Sequence, residues 1–136
     1  MYDRYLKGQI AVLKVQTRAA EKGFTVSVPT TESRYDLLVD DGKRIWRAQV
    51  KYAGREQQST SGSVELDLRK ETRNNGKKRT YSKSEIDVVL VYVPQIDEVL
   101  WLGSDIFDGV KSLTFRFEKP KNNQASRLRM AKDFVW

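Results

Sequence analysis

Asp36, Gln49 and Lys51 are the residues on which chemistry would rest. They fall in Tyr35-Asp36-Leu37-Leu38-Val39-Asp40-Asp41-Gly42-Lys43-Arg44-Ile45-Trp46-Arg47-Ala48-Gln49-Val50-Lys51, which reads as two strands joined by an Asp-Gly turn. Side chains alternate faces along a strand, so Gln49 and Lys51 point the same way. A hairpin splayed around a bulge would bring Asp36 to the same spot. A carboxylate, an amide oxygen and an ammonium gathered there suit a divalent cation and a phosphodiester. The oxygens serve the ion, and the positive charge serves the phosphate. Taken singly, each residue has a plainer role: a turn carboxylate, a cross-strand amide, and an edge-strand charge that deters aggregation.

The rest of the composition narrows the chemistry further. The chain has no cysteine and no histidine, which excludes thiol nucleophiles, Cys/His zinc sites and imidazole acid–base catalysis. Its 136 residues and 39% hydrophobic content suit one folded domain, 1–136, with a real core. The net charge of +7 is concentrated in two segments. Segment 69–83 carries Arg69, Lys70, Arg73, Lys77, Lys78, Arg79 and Lys83 against Glu71 alone. Segment 116–132 carries Arg116, Lys119, Lys121, Arg127, Arg129 and Lys132 against Glu118. The remainder is net acidic, so the basic segments form a footprint for a polyanion rather than an evenly mixed soluble surface. No apolar run is long enough to span a membrane. Met1-Tyr2-Asp3-Arg4 does not open a secretory signal, so the expected location is cytoplasmic.

The positioning elements follow from periodicity. Tyr5 to Lys22 reads as a helix with Leu6, Ile10, Leu13 and Ala20 on its apolar stripe, widened by Val12, Val15 and Ala19, and with Gly23 as its stop. Phe24 to Val28 alternates as a strand that Pro29 ends. In the hairpin's second strand, Trp46, Ala48, Val50 and Tyr52 form the core face, and Ile45, Arg47, Gln49 and Lys51 the other. Val64, Leu66 and Leu68 mark a further strand. Asn74-Asn75-Gly76 is a turn inside a basic loop or ribbon. Ile86 to Pro94 is almost wholly apolar, as a central strand covered on both sides would be. Val99 to Leu102 is a partner strand, Asp105 to Val110 a helical turn, and Leu113, Phe115 and Phe117 another strand. A loop over 118–124 leads to a short basic helix around Ser126 to Asp133. Trp46, Trp101 and Trp136 are read as core aromatics. The fold class is α/β, or α+β with a mixed sheet: a central sheet flanked by an N-terminal helix and short helices.

A D-x12-Q-x-K spacing alone is uninformative, but a leading helix, a strand pair and a Gln-x-Lys on one strand face make it specific. In this context the chain resembles the PD-(D/E)XK nucleases and their restriction-endonuclease-like core. It is most similar to the bacterial group I intron-encoded homing endonucleases of that superfamily, which carry Gln in place of the acid. The resemblance runs through Lys7-Gly8, Tyr35-Asp36 and Gln49-Val50-Lys51-Tyr52, then more thinly through Tyr81, Ile86-Asp87 and Val91-Tyr92-Val93-Pro94. It implies that Asp36 is the anionic ligand of Mg²⁺, with the Gln49 amide oxygen and the Val50 carbonyl as further ligands. It also implies that Lys51 stabilises charge on the scissile phosphate. Related members carry an acid in the first helix, whereas Val12 stands there in this chain, with Gln9 one turn earlier.

The resemblance implies sequence-specific, Mg²⁺-dependent cleavage of double-stranded DNA. Two rival expectations are a Holliday-junction resolvase on the same scaffold and a catalytically silent DNA-binding module. Cutting both strands implies a homodimer or homotetramer, for which Val99 to Leu102 are interface candidates. The expected DNA contacts are Arg69, Lys70, Arg73, Asn74, Asn75, Lys77, Lys78, Arg79, Lys83, Lys119, Lys121, Arg127 and Arg129. Lysines serve mainly phosphates, and Arg73, Asn74, Asn75 and Arg79 are candidates for reading base edges.

Overall fold

The computed structural model describes residues 3–54, 62–72, 76–117 and 129–136. Helix α1 (Arg4–Glu21) starts where the Asp3 carboxylate accepts the Leu6 N–H at 2.8 Å, and it ends at Lys22-Gly23. Strands β1 (Thr25–Ser27), β2 (Leu37–Asp40), β3 (Ile45–Tyr52), β7 (Val88–Val93) and β8 (Glu98–Gly103) form one mixed sheet in the order β1-β2-β3-β7-β8. All its pairings are antiparallel except β3 with β7, which run parallel. Between them, β4 (Ser63–Asp67) leads into a two-stranded ribbon, β5 (Arg69–Glu71) and β6 (Lys78–Thr80). The short helix α2 (Ser104–Phe107), β9 (Ser112–Arg116) and β10 (Arg129–Met130) follow β8. Strands β10, β9 and β4 make a second, three-stranded sheet. This mixed α/β architecture has the expected central mixed sheet with the N-terminal helix packed against it. Among the described residues no helix is long and apolar enough to cross a membrane.

The main sheet is covered on both sides, and β7 shows why. Every residue of VVLVYV is buried. Val88, Leu90 and Tyr92 face a cluster with Ala11 and Val15 of α1, while Val89, Val91 and Val93 face a second cluster with Val64, Leu66, Phe107 and Phe115. A strand buried on both faces cannot alternate in polarity. Strand β3 splits differently. Trp46, Ala48, Val50 and Tyr52 join the helix-side cluster, which leaves Gln49 and Lys51 on the opposite face. Ala48 is fully buried, and small residues at 11, 19 and 48 let helix and sheet approach closely.

Asp87 sets the register of the parallel pair. Its carboxylate accepts the Arg47 backbone N–H at 2.8 Å and the Arg47 guanidinium at 3.0 and 3.1 Å, and its own N–H donates to the Arg47 carbonyl. This forked pairing immediately precedes the alignment of Ala48 with Val88, so Gln49 and Lys51 lie beside Val89 and Val91.

Several sequence expectations need correction. The buried stripe of α1 is Ala11, Val15 and Ala19, with Ile10 and Val12 partly covered; Leu6 and Leu13 are 44% and 59% exposed. The helix is rotated from the expected stripe because tight packing on the sheet selects its small residues over its large ones. The expected terminal helix is, over 129–133, the strand β10 parallel to β9 followed by a 3₁₀ turn, Ala131–Phe134. Phe134 packs edge-on against Phe115, and that contact outweighs helical propensity. Val99, Leu100 and Leu102, offered as subunit contacts, are buried in the core. The tryptophans, expected in the core, are partly buried at its edge and pack together: Trp46 and Trp101 meet edge to face at 5.0 Å, and Trp136 lies 5.4 Å from Trp101.

Candidate active site

No bulge is needed to bring Asp36 to Gln49. The β2–β3 ladder stops at Leu37 opposite Ala48, and the Asp36 N–H donates to the Ala48 carbonyl at 2.9 Å. Beyond that point the Asp36 side chain takes over from the strand. Its Oδ2 accepts the Val50 N–H at 2.9 Å and the Gln49 Nε2 at 2.8 Å. A carboxylate thus replaces a backbone carbonyl as the acceptor at the end of the ladder. N–H and C=O of one strand residue share a side, so the Val50 carbonyl faces the same edge as the carboxylate.

Two oxygens remain to be accounted for. Donating Nε2 to Asp36 fixes the orientation of the Gln49 amide, because a flip would set oxygen against carboxylate. Gln49 Oε1 is then buried and without a hydrogen-bond partner among the described residues. An orphaned acceptor of this kind costs about 1–3 kcal/mol, a cost that a cation would offset. Asp36 keeps an open surface through which an ion can arrive. Crowding by protein atoms pushes its carboxyl above the usual carboxylate range, opposed by the Val50 N–H, Lys70 and Lys51. The accessible surface, rather than the crowding, decides whether an ion can reach it. A carboxylate, an amide oxygen and a main-chain carbonyl are hard oxygen donors of the kind that could hold a divalent cation. Among the described residues no three His, Cys, Asp or Glu side chains cluster; Asp36 is the carboxylate hydrogen-bonded to Gln49 and Val50.

Lys51 is half-buried beside this set. Its Nζ donates to the Arg69 carbonyl at 3.1 Å and lies 5.3 Å from the centre of the Tyr81 ring. Desolvation lowers its pKa, opposed by Asp67 and Asp36. The ammonium keeps further N–H donors for a substrate oxygen.

The first helix borders the same place. Gly8, Gln9, Val12, Asp36 and Val50 line a cavity of about 470 Å³. An adjoining groove of about 630 Å³ carries Arg4, Lys7, Lys51, Glu65 and Asp67 on its walls. Gln9 donates to the Tyr5 hydroxyl at 3.1 Å, and Val12 presents hydrocarbon where an acid would add a second negative charge. Arg4 and Lys7 were missed as candidates. Their i, i+3 spacing on the first turns of α1 is the signal that marks them in the sequence.

Of the expected DNA contacts, Lys70, Lys77 and Lys83 are described on or beside the ribbon, with Lys77 and Lys83 exposed. Arg69 and Lys78 both pair with Asp67, at 3.0 Å each, and Arg79 forms a two-pronged pair with Glu85 at 2.7 and 3.0 Å. Arg129 is exposed on β10. Arg73, Asn74, Asn75, Lys119, Lys121 and Arg127 lie outside the described residues.

With fold and site in view, comparison with known proteins places the chain. It belongs to the PD-(D/E)XK endonuclease family, whose model matches residues 2–136, and so to the nucleases, hydrolases acting on DNA. A solved structure described as a bacterial homing endonuclease, I-Ssp6803I, superposes with a TM-score of 0.75 over 98% of this chain and 89% of that one. At 21% identity, that likeness speaks for the fold. No curated protein matches.

Proposed function

We propose that this protein is a Mg²⁺-dependent endonuclease that cuts double-stranded DNA at specific sequences, in the manner of a homing endonuclease, with Asp36, Gln49 and Lys51 as its catalytic residues. The observation that carries the reading is the meeting of an accessible carboxylate, an orphaned amide oxygen and a seated ammonium where β2 ends beside β3. When bound, a divalent ion supplies a Lewis acid for the phosphoryl oxygen and acidifies water. Asp36, Gln49 Oε1 and the Val50 carbonyl would hold it. Asp36 provides the fixed negative charge. Lys51 donates to the non-bridging oxygen on which charge grows during attack, where a donor set in place beforehand is most effective. Arg4, Lys7 and Lys70 line the approach for neighbouring phosphates. With Val12 in the first helix, the substrate phosphate itself supplies the negative charge that a second acid would have brought.

Cutting both strands calls for two such sites, so the working form is a symmetric dimer or tetramer. The resemblance in sequence supports the homing type over a junction resolvase.

The test is cleavage of a randomised duplex library with Mg²⁺, followed by sequencing of the ends. Asp36→Ala and Lys51→Ala are expected to lower cleavage by about 10²–10⁴-fold while keeping DNA affinity. Val12 favours one competing reading, a silent DNA-binding module. Wild-type protein that binds duplex but never nicks it, with either Mg²⁺ or Mn²⁺, would establish that reading instead.

A further inference from the structure

The ribbon β5–β6 meets the candidate site at its base. Arg69, whose carbonyl receives the Lys51 ammonium, is the first residue of β5, and Tyr81, whose ring faces that ammonium, directly follows β6. One arm of the ribbon therefore supplies a carbonyl and the other an aromatic face. Both contacts are of kinds that hold a cation in place: a charge-assisted hydrogen bond and a cation–π contact within about 6 Å.

Asp67 locks this base. Its Oδ1 accepts the Arg69 N–H and Nε at 3.1 and 3.0 Å, and its Oδ2 accepts Lys78 Nζ at 3.0 Å from the opposite arm. Asp67 also shares the groove wall with Lys51. The two cations it ties down belong to the basic segment, so the carboxylate withholds positive charge from a polyanion. A residue serving only affinity would not be acidic here.

We propose that Asp67 and Tyr81 are positioning residues for Lys51: the clamp at 67 holds the ribbon base so that the Arg69 carbonyl and the Tyr81 ring seat the ammonium. This rests on the reading of Lys51 as a catalytic residue. It follows that turnover is tied to the ribbon's posture, and that Asp67 gives up DNA affinity in return for a placed ammonium. Loosening the clamp should then separate binding from chemistry. Asp67→Asn frees Arg69 and Lys78 for phosphates while the Asn oxygen still accepts the Arg69 N–H.

The experiment measures duplex affinity with Ca²⁺ and single-turnover cleavage with Mg²⁺ for the full chain. Asp67→Asn is expected to bind several-fold more tightly, yet to cleave slower by on the order of tenfold or more, the penalty of a misplaced group. Tyr81→Phe, which keeps the ring, should cleave like wild type, and Tyr81→Leu should be slow with unchanged affinity. Loss of both affinity and cleavage in Asp67→Asn, or tighter binding with wild-type cleavage, would overturn the proposal. So would a Tyr81→Phe protein as slow as Tyr81→Leu, since the hydroxyl and not the ring would then matter. Lys51→Ala is the control: if it cleaves normally, the site reading itself fails, whereas an inactive Lys51→Ala beside an unperturbed Asp67→Asn refutes only the seat.

Discussion

In the proposed function, Asp36 serves two ends that pull its ionisation in opposite directions. It must be anionic to hold a cation, yet the crowding that places it beside Gln49 and Val50 raises its carboxyl above the usual range. Lys51 has the complementary problem, since burial lowers the pKa of an ammonium needed in charged form. Cleavage should fall on the acid side as pH drops through the raised Asp36 value, earlier than for a free carboxylate. It should fall on the alkaline side as pH rises through the lowered Lys51 value, earlier than for a free lysine. A pH profile of kcat/KM, which reports the groups of the free protein, should therefore show a bell narrowed from both ends. In folding, the raised carboxyl of Asp36 favours the native state when protonated, and that gain is lost as pH rises through its native value. Asp67 behaves oppositely: Arg69 and Lys78 hold it down to about 2, so its contribution disappears as pH falls toward that value. Its exposure to solvent keeps that contribution small.

At the level of elements, β7 carries the sheet, and the site depends on it through the register that Asp87 sets on β3. Leu90 is fully buried in the middle of this strand. Leu90→Ala should cost about 2–5 kcal/mol by transfer and cavity terms together, which chemical denaturation would read. Cleavage per folded molecule should change little, since Leu90 faces α1 and Lys51 the opposite side. How much of this was legible in sequence varied with the physics involved. Alternation in β3 sorted Gln49 and Lys51 from Ala48 and Val50 because a strand's period is local. The unbroken apolar run at 88–93 likewise announced a strand covered twice. The helix stripe was not legible because hydrophobicity ranks Leu6 and Leu13 above Ala11, whereas close packing on a sheet ranks them the other way. The seat of Lys51 was invisible for a different reason. It uses a main-chain oxygen and a ring from residues 18 and 30 positions onward in the chain, and no periodicity reports contacts at that separation.

For the molecule as a whole, the uneven charge matters more than its total. The two basic segments gather cations beside an otherwise acidic remainder, and Asp67 and Glu85 keep three of the ribbon's cations paired at rest. If six or so phosphates are neutralised on binding, duplex affinity should fall about 10³-fold between roughly 50 and 200 mM monovalent salt. A titration across that range measures it, and a much shallower dependence would move recognition away from the basic segments. The arrangement of the aromatics adds an optical consequence. All three indoles sit in one stack at the Trp46 end of β3, on the face away from Gln49 and Lys51. Intrinsic fluorescence and near-ultraviolet dichroism thus report the integrity of that end of the sheet and stay largely silent when substrate arrives at the other.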